Sequence, residues 1–307
     1  LHVAHLPADQ LGAIIGRRLR DKLLQALVQI VDAGRGGARA GMRRSCQRSG
    51  VLARLLRQRV TTEAPDALNR WLAPVVYLAL AAAGLSVVPL LPSGALLDTP
   101  VGIVVWGSCE ALTIVAVFLH GWAPNAPFPL IGAYRYAAIG LPVMLPSMFV
   151  LIAAALPAES LSVGQIVAAQ AETWTVVRQP LGLPLFLLVG LALTLRGPFD
   201  YADGADLGGG TSAEDSGPGA AQWQLARLCM LVAFSAMAAA VFLGGPHGPW
   251  LPGLVWMWLK TAAVAALTIA VGRRVGRAPP GRMLTLLWIG ALPLSFLHLA
   301  IAGVSSL

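Results

Sequence analysis

Two charged residues stand inside long apolar runs: Glu110, directly after Cys109, and Lys260, with Trp256 and Trp258 just before it. A charge in the centre of a bilayer is costly, so such residues mark ion paths or satisfied buried groups. Glu110 reads either as a proton-relay carboxylate or as a neutral glutamic acid hydrogen-bonded inside a helix bundle. Lys260 reads as a partner of Glu110, as the lining of an aqueous path, or as half of a structural ion pair. A third group is Arg196-Gly197-Pro198-Phe199-Asp200-Tyr201-Ala202-Asp203-Gly204-Ala205-Asp206, continued by Glu214-Asp215-Ser216-Gly217. Its five acids suit contact with a basic partner or proton uptake at a chamber mouth, while its Gly and Asp content equally suits a solvated loop. Gly208-Gly209-Gly210 is no dinucleotide fingerprint, because no strand precedes it and the GxGxxG spacing is absent. Cys46, Cys109 and Cys229 lack CxxC spacing and the five histidines do not cluster. No metal site, iron–sulfur cluster or disulfide framework is therefore expected, nor a cofactor bound by this chain alone.

The elements that must carry these residues are membrane spans. Of 307 residues, 57% are hydrophobic and 12% charged, with a mean hydropathy of +0.71; soluble domains carry about 25% charged residues. Runs long enough to cross a bilayer core occur at about 72–92, 101–120, 136–156, 180–195, 223–244, 250–272 and 283–304. The fold class expected is an all-α polytopic membrane bundle with seven clear spans. Residues 1–71 hold thirteen Lys/Arg against five acids and so account for the whole net charge of +8, while the remainder holds nine of each sign. This asymmetry predicts a cytoplasmic N-terminus. Loops near 93–100, 157–179 and 245–249 then lie outside with one basic residue, Arg178; the inner side has Arg135, Arg196, Arg273, Arg274, Arg277 and Arg282. Two parts follow: a basic segment, 1–71, and a transmembrane domain, 72–307, with an acidic inner loop at 196–222. Residues 35–50 read as a basic, glycine-rich loop. Residues 51–60 set Val51, Leu52, Leu55 and Leu56 on one helical face and basic side chains on the other, the pattern of an interfacial helix or of one packed on a partner subunit. No signal-peptide pattern is expected. No aromatics interleave the arginines and no nucleic-acid-binding motif frames them, so lipid, and not nucleic acid, is the expected contact.

Several short pieces occur in an order that resembles one family. They are Leu72-Ala73-Pro74-Val75, Gly121-Trp122-Ala123-Pro124-Asn125 with Pro129-Leu130-Ile131-Gly132-Ala133-Tyr134-Arg135, and Gln179-Pro180-Leu181-Gly182. Arg196-Gly197-Pro198-Phe199-Asp200, Glu214-Asp215-Ser216-Gly217, Phe242-Leu243-Gly244-Gly245 and Trp258-Leu259-Lys260-Thr261 follow. They resemble the quinone-chamber membrane subunit of respiratory complex I, the H subunit of NADH–quinone oxidoreductase. That family includes the membrane subunit of group 4 nickel–iron hydrogenases and formate hydrogenlyase. The matching pieces run from about residue 50 onward; residues 1–50 show none, and the family's first transmembrane helix is not recognisable. The resemblance implies an eight-helix, non-catalytic subunit in a bacterial inner membrane, joining iron–sulfur redox subunits to antiporter-like membrane subunits. It implies a quinone at a subunit interface, with Asp200, Asp203, Asp206 and Glu214 at the cavity mouth and Arg196 and Arg135 as fixed positive partners.

Departures from the family pattern bear on mechanism. Where the family carries a glutamate nine residues after the arginine of its LGALR motif, this chain has Met144; a second family glutamate, three residues before the arginine of RAPFD, is Leu193. The inner loop is about one residue shorter. Proton coupling is then either rerouted, with Glu110 the candidate, or absent from this path. A different class, an independent secondary transporter or channel, would suit Glu110 and Lys260, but the two halves of the chain show no internal repeat. A self-sufficient membrane enzyme lacks a metal, nucleophile–base or cofactor constellation.

Overall fold

The computed structural model describes residues 66–90, 94–204, 209–277 and 279–305, all within one unit, Arg59–Leu307. The proposed interfacial helix at 51–60 and the basic loop at 35–50 lie outside the described residues. Seven helices are long and apolar enough to cross a membrane, and the architecture is all-α among the described residues. α1 is Ala67–Ser86, α2 Gly102–Trp122 and α3 Pro127–Ala155. Two short helices, α4 (Val163–Ala168) and α5 (Thr175–Arg178), lead to α6, Gly182–Leu193. A 3-10 turn, Gly197–Ala202, precedes α7, Gly217–Phe242, and α8 is Gly253–Arg274. The last span is α9 (Pro280–Thr285), a π-helical turn at Leu286–Ala291, and α10, Leu292–Ser305.

The first, third, fifth and last spans start earlier than the apolar runs alone suggest. Asp66 caps α1, its Oδ1 accepting from the Leu68 and Asn69 amides at 3.1 and 3.2 Å, so the helix begins before Leu72. Proline near the start opens both α3 and α7, a position where its missing N–H costs nothing. Arg135 is consequently a helical residue within α3, not a loop residue, and the acidic loop ends at Ser216 instead of running to 222.

α7 is the axis of the bundle. Every residue from Ala233 to Phe242 is buried, which is why this helix shows no polar face: a helix surrounded by others is apolar all round. Phe186 of α6 stacks on Phe234 at 4.8 Å and lies 5.3 Å from Phe242. α1 packs on α2 and α7, α2 on α3, α7 on α8, and α3 on α6 and α10. The outer faces carry exposed Leu68, Trp71, Trp258, Leu259, Ile289, Phe296 and Val304, an apolar surface of the kind that suits a bilayer.

Candidate functional site: a buried Asp–Arg centre beneath the loop

The loop between α6 and α7 folds onto the ends of α3 and α8 because glycines let backbones meet. Gly197 has φ +61°, and a Cβ there would lie 2.9 Å from Gly272 Cα of α8. Gly132 sits beneath the loop's other limb, where a Cβ would come within 2.4 Å of the Thr211 amide nitrogen. Thus the glycine of the Leu130-Ile131-Gly132-Ala133-Tyr134-Arg135 piece is the floor on which the acidic loop rests.

Asp203 is the centre of this arrangement. Its Oδ1 accepts from Thr211 Oγ1 at 2.7 Å, Ser212 Oγ at 2.6 Å and Trp223 Nε1 at 3.1 Å. Its Oδ2 accepts from Arg227 Nη1 at 2.5 Å, and Arg227 Nη2 donates to the Leu195 and Thr194 carbonyls at 2.7 and 3.2 Å. Four donors on one buried carboxylate offset its desolvation, as a buried ion pair requires. Asp200 lies nearer solvent and forms a two-point pair with Arg277, at 3.0 Å to Nη2 and 3.1 Å to Nε. Arg196, Asp200, Asp203, Arg227, Arg273 and Arg277 line one cavity of about 310 Å³, with Ile269 and Gly272 of α8 on its wall. Four guanidinium groups face two carboxylates there, both already paired. Arg196 Nε is buried with no hydrogen-bond partner among the described residues.

The remaining loop residues do not converge on that cavity. Arg135 donates from Nη1 to the Gly209 carbonyl at 2.8 Å and lies over the Tyr201 ring at 4.4 Å, holding the loop in place. Glu214 is partly buried and outside the cavity lining; Asp206 lies outside the described residues. Asp215 is instead the buried neighbour: its Oδ2 is 3.7 Å from His120 Nε2 and its Oδ1 3.7 Å from Arg70 Nη2. Burial pushes the Asp215 carboxyl up to about 6, with Arg70 opposing that rise. His120 stacks face-on against Trp223 at 3.8 Å.

Within the membrane body, Glu110 and Lys260 are not partners. Glu110 Oε2 accepts from Ser147 Oγ at 2.8 Å, and Oε1 is buried without a hydrogen-bond partner among the described residues. Lys260, the eighth residue of α8, reaches back toward the loop before the helix. Its Nζ donates to the Leu243, Gly245 and His247 carbonyls at 2.5, 3.0 and 2.5 Å and lies 4.3 Å from the centre of the Trp174 ring. The pairing with Glu110 considered from sequence is thus corrected: Lys260 closes the carbonyl end of α7, where cations are favoured. Met144 is half-buried on α3, and Leu193 ends α6 with its carbonyl accepting from the buried Tyr77 hydroxyl. Arg227 escaped sequence reasoning although it is a charge inside the fifth apolar run, the same signal that singled out Glu110 and Lys260. Tyr77, Tyr136 and His120 gave no such signal, because amphipathic side chains are ordinary in spans.

These features define a polytopic helical membrane protein with a charged chamber beneath one inter-helical loop. The family model described as NADH dehydrogenase matches residues 35–303, and the chain belongs to that family. The match begins upstream of residue 50, so part of the basic segment expected to lie outside the resemblance falls within it. Among similar proteins is the H subunit numbered 2 of NADH-quinone oxidoreductase in Rhodopseudomonas palustris (strain ATCC BAA-98 / CGA009), 36% identical over 240 residues, 78% of this chain and 75% of the relative. The H subunit of the same enzyme in Geobacillus kaustophilus (strain HTA426) is 31% identical over 259 residues, 83% of this chain and 78% of that protein. The H subunit numbered 2 in Cereibacter sphaeroides (strain ATCC 17029 / ATH 2.4.9) is 34% identical over 234 residues, 76% and 74% respectively.

Proposed function

We propose that this chain is the non-catalytic coupling subunit of a complex I-like assembly. It anchors iron–sulfur redox subunits to antiporter-like membrane subunits in a bacterial inner membrane, with its N-terminal segment on the cytoplasmic side. The observation that carries this reading is the cavity of about 310 Å³ walled by Arg196, Asp200, Asp203, Arg227, Arg273 and Arg277. A quinone headgroup reduced at a partner's cluster gathers negative charge before it is protonated. Arginines held in place by paired carboxylates stabilise that charge without reorganising. Electrons reach the cavity from the partner subunit; this chain supplies the wall, the field and proton-exchanging groups.

A second reading, a hydrogenase-like complex working without quinone, is favoured by the hydrocarbon and thioether at Leu193 and Met144. One experiment serves both. Purified in mild detergent from its native membrane, the chain is expected to bring down an iron–sulfur polypeptide and antiporter-like membrane proteins. Quinone reduction by that complex supports the first reading, and hydrogen evolution without quinone supports the second. A clean monomer with uptake activity in proteoliposomes overturns both.

A further inference from the structure

We infer that the cavity beneath the loop binds the phosphate group of an anionic phospholipid between Arg196 and Arg273. This adds a ligand to the cavity of the coupling role proposed above, and it stands whether or not quinone enters there. Four guanidinium groups and two carboxylates line the cavity. Arg227 is matched by Asp203, and Arg277 by Asp200. Arg196 and Arg273 have no hydrogen bond or ion pair among the described residues, and Arg196 Nε is buried in that state. Two positive charges on the cavity wall are therefore uncompensated. They also lie close together: a Cβ on Gly272, the residue before Arg273, would be 3.4 Å from Arg196 Cβ. Like charges so placed repel, and an anion between them replaces that cost with charge-assisted hydrogen bonds. A guanidinium fork matches phosphate oxygens two at a time.

The α8 wall of the cavity points to a lipid as the source of that phosphate. Ile269 and Gly272 form this wall. Beside them Ala262, Ala266 and Ala270 are exposed, and helical spacing puts Arg273 on the same face as these alanines. The row runs from the cavity along the exposed side of a span, and its small side chains leave room for an acyl chain against the helix. α7, packed on α8, exposes Leu225, Leu228 and Val232. Free phosphate would use the arginines alone, and an acidic side chain of a redox partner would do the same. A phospholipid uses the arginines and the apolar face together, as in basic pockets between membrane helices. The volume of about 310 Å³ suits a single headgroup, at the lower end of the roughly 300–1,000 Å³ of small-ligand sites. Lipid phosphate and a quinone headgroup then compete for the same arginines.

The test uses the protein purified with its companion subunits and placed in phosphatidylcholine nanodiscs with a graded fraction of phosphatidylglycerol. Native mass spectrometry reads the phosphatidylglycerol that stays bound. Arg273→Gln is expected to hold it about tenfold more weakly than the wild type, the effect of losing one charge-assisted hydrogen bond. Arg274→Gln, one residue along and outside the cavity lining, is the matched control and keeps the wild-type affinity. Equal loss in the two variants, or loss in neither, overturns the site. Inorganic phosphate at matched ionic strength is expected to leave the lipid in place; displacement by it shows that the apolar face adds nothing and overturns the lipid assignment. Release of the iron–sulfur polypeptide from Arg273→Gln with lipid binding unchanged gives the arginines to an acidic partner and overturns it as well. Quinone reduction is followed in the same samples. Lipid binding by a complex that reduces no quinone leaves this site standing and removes quinone from the proposed role.

Discussion

Asp203 and Arg227 show how a charge is made tolerable inside a membrane protein. Neither would be stable there alone; together, with Thr211, Ser212 and Trp223 on the carboxylate and two backbone carbonyls on the guanidinium, they are nearly saturated. Asp215 is the less satisfied neighbour, since its contacts to Arg70 and His120 are both 3.7 Å. Its carboxyl, raised to about 6 by burial, favours the protonated form in the fold. Folding stability from this group is therefore intact below about pH 4 and declines as pH rises through 6, by on the order of 2–3 kcal/mol. Arg70 and Asp203 act on the same carboxyl in opposite directions. Asp215→Asn is expected to flatten that part of the stability profile and to be relatively more stable at pH 7. Thermal unfolding in detergent between pH 4 and 7 reads this directly; parallel profiles for the two proteins would refute it.

α7 and the loop before it divide the labour of the fold. The helix supplies an apolar axis on which α1, α6 and α8 lean. The loop supplies the polar chamber and stays seated because α3 offers bare backbone at Gly132. A Cβ on Gly132 meets backbone atoms of Thr211, Gly210 and Ala202 within 2.6 Å, atoms that cannot swing aside. Gly132→Ala is expected to cost about 1–3 kcal/mol, the range for overpacking, and to speed proteolytic cleavage within 209–216. Gly276→Ala, where no atom lies within 4 Å, is the matched control and should leave both unchanged. Equal behaviour of the two variants would remove Gly132 from its supporting role.

Among the described residues, charged groups gather at one end of the helical unit and the other end is sealed. The Asp–Arg chamber, Arg135, Arg273 and Arg277 gather where α1, α3, α7 and the last span begin; Lys260, Trp174 and the carbonyls of 243–247 close the opposite end. With the helices crossing a bilayer, Ser212 and the fully exposed Trp250 fall on opposite sides. Ser212→Cys and Trp250→Cys, each in a background with Cys46, Cys109 and Cys229 replaced by serine, are expected to react with an impermeant maleimide from opposite faces of sealed vesicles. Reaction of both from one face would overturn the threading.

The amino-acid sequence by itself determined the number and order of the spans, because about twenty apolar residues per crossing is a local requirement that each segment meets alone. Motif order likewise placed the chain in its family, and the run from Arg196 to Ser216 was legible as the loop in which acids collect. Partnership was not legible. Glu110 meets Ser147, thirty-seven residues away, and Arg227 meets Asp203 only after the loop folds over Gly132. Lys260, which composition could as well have given to Glu110, turns to carbonyls at the far end of the bundle. Four of the seven helix starts shifted outward for a related reason: a cap or a proline sets them, not hydrophobicity. Apolar pattern fixes which face of a segment is buried, but a polar side chain needs a specific donor or acceptor at hydrogen-bond distance. Only the packing of distant segments decides which one it finds.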